Sequence, residues 1–356
     1  MSDFVVSARK YRPQTFDLVV GQSAITETLK NAIVNNHLPQ ALLFCGPRGI
    51  GKTTCARILA KQINDNSNSD NDFAFNIFEL DAASNNSVDD IRNLIEQVRI
   101  PPQVGNYKVY IIDEVHMLSA SAFNAFLKTL EEPPKHAMFI LATTEKHKII
   151  PTILSRCQIF DFQRIKVKDI AAHLGTIATK ENITADPDAL FLIAQKADGA
   201  LRDALTIFDQ MVTFSGNNIT YQSVVENLNI LDYQWYFDIT DSTINEDIPS
   251  ALLLFNKILE KGFDKHNFLI GLSEHFRNLL LCKDERSIDL IEVSDNVKKR
   301  YFKQSKSINH QILLRSLAII NKSDVDYKLS KNQRLLVEFT LMQLCSLHQE
   351  AEKKKL

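Results

Sequence analysis

Apolar positions follow two regimes along the 356-residue chain. Up to about residue 163, short apolar runs recur at 41–45 (ALLFC), 76–80 (NIFEL), 108–112 (KVYII) and 138–142 (MFILA). Runs of this length, separated by helical stretches, predict parallel strands in βαβ units, buried on both faces. Between them Cys55, Leu59 and Ile63 share one face of a helix over 53–63. The stretch from Ser84 to Asp90 offers N-cap and acidic first-turn residues ahead of IRNLIEQV. A further helix over 121–132 stops at Pro133-Pro134. This part of the chain reads as α/β, doubly wound.

From about residue 164 the strand signals fade. Segments 167–181, 186–197, 200–214 and 221–229 predict a small helical group, with turns at Pro187, Gly199 and Gly216-Asn217-Asn218. Beyond about 230, amphipathic stretches at 249–261, 266–282, 309–321 and 332–348 predict a second, all-helical unit. The division expected is therefore 1–163, 164–228 and 229–350, with a charged tail over 351–356. The polar run from Asn64 to Asp72 reads as a solvated loop with nothing to bury.

Composition sharpens that division. Eight of the ten prolines lie at or before Pro151, as expected if turns and loops crowd the first half. Glycine is scarce, ten residues in all, yet Gly46, Gly49 and Gly51 fall within six positions. A net charge of −2 provides no global field for nucleic acid or membrane, so any DNA contact needs a local patch. No apolar run approaches a membrane span, and the N-terminus does not read as a signal peptide. The five cysteines are scattered without a CxxC pair, which fits buried thiols in a reducing cytoplasm.

The glycine cluster carries the chemistry. Gly46-Pro47-Arg48-Gly49-Ile50-Gly51-Lys52-Thr53, followed by Thr54, matches GxxxxGK[ST] between a predicted strand and a predicted helix. Glycines let successive N–H groups turn toward phosphate oxygens, and the helix N-terminus adds partial positive charge. Lys52 would reach the β- and γ-phosphates, and the Thr53 hydroxyl would ligate Mg²⁺. Sixty residues later the strand 108–112 ends in Asp113-Glu114, two carboxylates at the carboxyl edge of the sheet. Asp113 would hold Mg²⁺ and Glu114 would polarise an attacking water. His116 is either a packed, hydrogen-bonded histidine or a coupling residue. Thr143 and Thr144 end the strand MFILA with hydroxyls that could meet the γ-phosphate or the water. Arg156 is either a surface charge or a finger supplied to a neighbour's nucleotide. Arg202 either forms a salt bridge with Asp203 or Asp198 or serves the site.

Taken together, ARKYRPQTFDLVVGQ (8–22), GPRGIGKTT (46–54), ELDAASNNSVDDIRNLIE (79–96), KVYIIDEVHMLS (108–119), FNAFLKTLEEPP (123–134), LATTE (141–145) and PTILSRCQ (151–158) resemble the γ/τ family of bacterial DNA polymerase III, the AAA+ ATPases of the clamp loader. The similarity is dense from residue 8 to about 215 and continues through KNQRLLVEFTLMQLC (331–345). The resemblance implies a five-stranded parallel AAA+ sheet, a helical lid and an all-α collar that assembles the loader. It implies ATP and Mg²⁺ as cofactors and a cytoplasmic replication role. Thr144, or Thr143, would be sensor 1, Arg202 the sensor 2 of the lid, and Arg156 the finger acting on the next subunit's ATP. Tyr11, Arg12, Pro13, Val19 and Val20 lie where the family cups adenine; an arm packed on the core is the alternative, and both can hold. The partners implied are δ, δ′ and further γ/τ copies, the sliding clamp, and primed DNA. DNA would be met through backbone contacts at Ser84, Asn85, Asn86 and Ser87, with Arg92 beside them; an ordinary capped helix is the alternative there.

Two departures from the family pattern stand out. The four cysteines that usually bind zinc between the phosphate-loop helix and the second strand are absent from 64–75, so no zinc is expected. The chain stops at Leu356, which reads as the short, γ-like form. The competing readings are a non-catalytic, δ′-like assembly subunit and a different AAA+ DNA motor. The first has no need of Lys52, Thr53, Asp113 and Glu114 together; the second should carry a winged helix that is not visible after residue 230.

Overall fold

The structure, a computed structural model, describes residues 5–64, 76–103 and 105–353, with residues 348–353 by backbone alone. Most of the polar run 64–75, where zinc ligands would fall, and the end of the charged tail lie outside the described residues. The elements are α1 (Ser7–Lys10), α2 (Ser23–Val34), β1 (Ala41–Cys45), α3 (Lys52–Asn64), β2 (Ile77–Asp81), α4 (Val88–Val98), β3 (Lys108–Asp113), α5 (Ala120–Glu131), β4 (Ala137–Thr143), α6 (Pro151–Leu154), β5 (Gln158–Asp161) and α7 (Val167–Lys180). There follow β6 (Thr184–Ala185), α8 (Pro187–Lys196), α9 (Leu201–Ser215), β7 (Asn218–Ile219) and α10 (Tyr221–Asn227). The chain continues with α11 (Tyr233–Ile244), α12 (Ile248–Glu260), α13 (Lys265–Leu281), α14 (Asp295–Ser305), α15 (His310–Tyr327) and α16 (Gln333–Lys353).

Five parallel strands form one sheet in the order β2-β3-β4-β1-β5. Alternation along each strand sends side chains to opposite faces. Leu43, Tyr110, Phe139 and Leu141 join Ile91, Phe123 and Phe126 of α4 and α5 on one side. Leu42, Phe44, Ile111 and Ile140 join Leu29, Cys55 and Leu59 of α2 and α3 on the other. Both faces are thus covered, which is why the strands read as continuous apolar runs.

Two compact units emerge. One runs to Ile183 and takes back Ile193–Thr213; the other comprises Thr184–Leu192 and Phe214 onward. Residues of the segment 164–228 fall in both units. The second unit also contains a short parallel ladder between β6 and β7, where the sequence signals no strand.

The helices of the second unit surround a buried polar cluster. His275, 1% exposed, lies among Tyr236, Phe237 and Tyr301. The Gln304 amide donates to Phe237 O and to Asp241 (2.9 and 2.7 Å), so its Oε1 faces His275 Nε2 as an acceptor at 3.2 Å. That arrangement places the histidine proton on Nε2 and leaves Nδ1 to accept from the Tyr301 hydroxyl at 3.0 Å. Burial drives the imidazole pKa down to about 3, with Arg300 adding to the shift and Gln304 opposing it.

Gly271 in α13 sits against the Tyr236 ring: a Cβ there would lie 2.0 Å from the hydroxyl and 2.6 Å from Cζ. Alanine gains about 1 kcal/mol of helix propensity, but Tyr236 is buried and stacked on Phe268 and cannot easily withdraw. Overpacking of this kind costs roughly 1–3 kcal/mol. Gly271→Ala should therefore lower the urea midpoint; a midpoint at or above wild type would contradict this packing. For His275 the native pKa lies below the unfolded value of about 6.5, so the unfolded chain gains protons first as pH falls. Its contribution is complete above that value and is lost on acidification, by up to about 1.4 kcal/mol per pH unit. Urea unfolding of the wild type at pH 7, 6 and 5 should show stability falling with each step; an invariant value would overturn the neutral assignment.

Candidate nucleotide-binding site

Strand order assembles the site. β4 lies between β1 and β3, with Cys45 opposite Thr143 and Ile112 opposite Leu141, so three strands end side by side. The glycine loop leaves β1, Asp113 and Glu114 end β3, and Thr143 and Thr144 end β4.

The loop geometry explains its glycines at two positions. Gly46 has φ 139°, and a Cβ there would fall 2.4 Å from the Phe162 carbonyl oxygen. Gly49 has φ 77° and packs on Ala200 and Arg202 at the start of α9; its carbonyl accepts the Arg202 N–H at 3.2 Å. Ile50 is buried beside Gly46, while Gly51 opens α3 with φ 107°.

Lys52 is 6% exposed, and its ammonium donates to the carbonyls of Gly46 and Pro47, both at 2.7 Å. Burial lowers its pKa, and the carboxylates of Glu114 and Asp113 pull the other way. The Thr53 hydroxyl donates to Asp113 Oδ2 at 2.8 Å, and Asp113 Oδ1 accepts the Glu114 N–H at 2.9 Å. This pair supplies two hard oxygens at the mouth of the loop. Among the described residues no group of three or more His, Cys, Asp or Glu could hold a metal. The Thr53 hydroxyl and the Asp113 carboxylate, both hard oxygens, suit Mg²⁺, which takes few protein ligands.

Glu114 adopts φ 48°, a left-handed conformation costly for a non-glycine residue, as occurs at functional sites. Its Oε2 accepts from the Thr144 N–H (3.2 Å) and hydroxyl (3.0 Å). Thr143 is fully buried, with its hydroxyl tied to His116 Nδ1 and to the Glu145 N–H, both at 3.0 Å. Of the two threonines, Thr144 is the one that touches Glu114. The His116 side chain is hydrogen-bonded and 6% exposed; its Nδ1 lies 3.5 Å from Glu114 and its Nε2 3.3 Å from Glu145. Glu145 was not singled out from the sequence, because a strand-end acid carries no periodic signal.

A cleft opens over the loop. Arg48, Gly49, Thr53 and Thr54 line it with Asp113 and Glu114, and so do Tyr11, Arg12, Pro13, Val19 and Val20. Arg202 reaches the same cleft, joined by Ala8, Ile165, Leu201 and Leu205, which sequence reasoning missed as ordinary apolar positions. The N-terminal segment is also pinned to the helices: Ser7 N–H donates to Asp209 at 2.7 Å, and Lys10 and Tyr11 both bond Glu181. Packed arm and cleft wall are thus the same segment. Arg202 forms no ion pair with Asp198 or Asp203 among the described residues; Asp198 pairs with Arg164.

Two candidate groups lie apart from the cleft. Arg156, after α6, is not among the cleft residues and pairs with Glu131 while donating to Thr152 O at 2.7 Å. At the start of α4, Ser87 and Asp90 form a reciprocal capping box, and Arg92 pairs with Asp89. Ser84 donates to Asp81, and the Asn85 amide donates to the Asp81 carbonyl. The turn is thus an ordinary cap in its internal bonding, with Asn86 accepting the Ser119 N–H.

The sequence matches the DNA polymerase III delta subunit family over residues 21–166, the ATPase lid domain of the DNA polymerase III clamp loader subunit over 169–217, and domain III of DNA polymerase III subunits gamma and tau over 219–356. It is 38% identical to the DNA polymerase III subunit tau of Bacillus subtilis, covering 96% of this chain and 64% of that one. It is 35% identical to the subunit gamma of Buchnera aphidicola, covering 97% and 98% respectively. It spans 56% of the Escherichia coli subunit tau at 34% identity. The RuvB Holliday junction branch migration motor of Thermotoga maritima shares the fold, with TM-score 0.50 and 21% identity over 66% of this chain and 79% of that one. No helix among the described residues is long and apolar enough to cross a membrane. The chain belongs to the gamma/tau family of DNA polymerase III, the AAA+ ATPase subunits of the bacterial clamp loader.

Proposed function

We propose that the cleft binds ATP with Mg²⁺ and that its hydrolysis, completed by a neighbouring subunit, drives the loading of a sliding clamp onto primed DNA. The contact between the Thr53 hydroxyl and Asp113, beside a buried Lys52, carries this reading. A subunit that only assembles the complex has no use for that pair or for a strained Glu114. The δ′-like alternative is disfavoured on that ground.

Each residue has a distinct task. Lys52 is held by carbonyls of its own loop and needs only to turn from them to meet phosphate oxygens. Amides of the loop from Gly49 to Thr54 would bind the same phosphates. Thr53 and Asp113 would hold the magnesium ion, which neutralises phosphate charge when bound. Tyr11, Arg12, Val19 and Val20 would enclose the adenine. Glu114 keeps Oε2 on Thr144 and has Oε1 to orient a water and take its proton. Arg202 enters the cleft from α9, whose first turn is bonded to the loop, so nucleotide occupancy and the position of that helix are coupled.

Arg156 acts in trans in this scheme. Its pair with Glu131 is partly exposed, and such pairs are worth at most about 1 kcal/mol, so release toward a neighbour's γ-phosphate is inexpensive. Partners would be δ, δ′, further γ/τ copies and the clamp, assembled through the helical second unit. DNA would be met by backbone contacts at Ser84, Asn85, Asn86 and Ser87, ahead of α4, with Arg92 freed from Asp89. No base-reading set of side chains accompanies them, so binding would be independent of sequence and weakened by salt.

The test is hydrolysis in the reconstituted loader. Arg156→Ala should leave ATP affinity within about twofold while lowering DNA- and clamp-stimulated turnover by roughly 10³–10⁵. Equal loss of affinity and turnover would place the arginine in its own subunit's site. No turnover by the wild-type complex would favour the assembly role.

A further inference from the structure

Arg12, Pro13 and Thr54 line two clefts at once. One is the nucleotide cleft. The other is a groove along α3, formed by Arg57, Ile58 and Lys61 with Ile77 and Glu79 of β2. A nucleotide with its phosphates at Lys52–Thr54 and its base against Tyr11 and Val19 would carry its ribose between them, and Arg12, Pro13 and Thr54, which border both clefts, flank that span. The groove would then be met from the sugar side.

Its chemistry is cationic. Among the described lining residues Arg12, Arg57 and Lys61 face a single carboxylate, Glu79, in a chain whose net charge is −2. Glu79 receives the Nε and Nη2 donors of Arg57 and holds the guanidinium in place, leaving its remaining N–H donors for another acceptor. Lys61 spends one of its three donors on Gln14 Oε1 at 3.2 Å. Beneath them Ile58 is buried, which gives the groove an apolar floor. ATP binding and hydrolysis as described use Lys52, Arg156, Arg202 and Arg12 and leave Arg57 and Lys61 without a task.

We propose that the groove is an anion subsite for phosphate carried on the ribose, so that the cleft accepts nucleotides phosphorylated on the 3′-hydroxyl as well as the 5′-hydroxyl. This rests on the nucleotide reading of the cleft. A guanidinium braced by a carboxylate on one edge can take phosphate oxygens on another, and a lysine adds a mobile point charge. The subsite requires no rearrangement of the glycine loop.

Equilibrium binding to the full chain tests it, comparing ATP with ATP carrying a 3′-diphosphate, in wild type and in Arg57→Ala/Lys61→Ala. Both side chains lie at the surface of α3, so the variant should fold. The wild type should bind the 3′-phosphorylated form about tenfold more tightly, the scale of one or two charge-assisted contacts. In the variant that gain should shrink to within about twofold, with ATP affinity unchanged. Equal affinities in the wild type, or a gain kept by the variant, would overturn the subsite. A variant that loses duplex DNA affinity while both nucleotides bind as before would overturn it and assign the groove to DNA. Failure of ATP itself to bind the wild type would instead remove the reading of the main cleft.

Discussion

A buried ammonium organises the molecule's chemistry. Lys52 is nearly inaccessible, and two carbonyls of its own loop bind it directly. A charge in that setting is costly unless it is hydrogen-bonded, so the loop must curl around it. Curling is permitted because Gly46 and Gly49 take positive φ, and at Gly46 any side chain would strike the Phe162 backbone. The loop is thus preshaped around a cation, with burial favouring proton release and the nearby carboxylates opposing it. An anionic phosphate is the natural replacement for those carbonyls.

The remaining parts are placed by the sheet. With β4 between β1 and β3, Thr144 can hold Glu114 while Asp113 reaches Thr53 from the opposite strand end. The left-handed turn at Glu114 aims its carboxylate across that gap, a local strain borne by the packing of Val115 and Leu118 in the core behind it. Behind Thr144, His116 ties Thr143 and Glu145 into the same network, so the strand end is fixed by bonds on both sides. The start of α9 closes the arrangement through the bond between Gly49 and Arg202. A change at the phosphate loop is therefore felt directly in a helix that the loop does not belong to.

Much of this was legible in the sequence. The four apolar runs, the glycine loop and the acidic pair fell where the strands and their ends lie, because a sheet covered on both faces leaves continuous apolar stretches. β5 was not visible: at four residues, with Gln158 and Asp161 exposed, it lacks a core signature. α14 escaped for a different reason. Its buried positions include Gln304, held through hydrogen bonds around His275, and Ser305, whose hydroxyl donates to the Phe302 carbonyl, so apolar periodicity could not reveal it. β6 and β7 are two-residue strands within otherwise helical chain, beneath any pattern of period two. At the site, polar residues at strand ends named the chemistry, but that Thr144 bonds Glu114 while Thr143 bonds His116 is visible only in the geometry. The role of Arg156 stayed open in sequence because its neighbours in this chain, Glu131 and Thr152, lie outside the cleft and name no chemistry.

The central claim is that the glycine loop, with Lys52 at its centre, is a preformed phosphate cradle. Calorimetric titration of the isolated chain with Mg·ATP, wild type against Lys52→Ala, addresses it most directly. The cradle predicts saturable one-to-one binding in the wild type and an affinity at least about a hundredfold weaker in the variant, as expected for loss of a buried charge-assisted contact. Comparable affinities for the two proteins would contradict it.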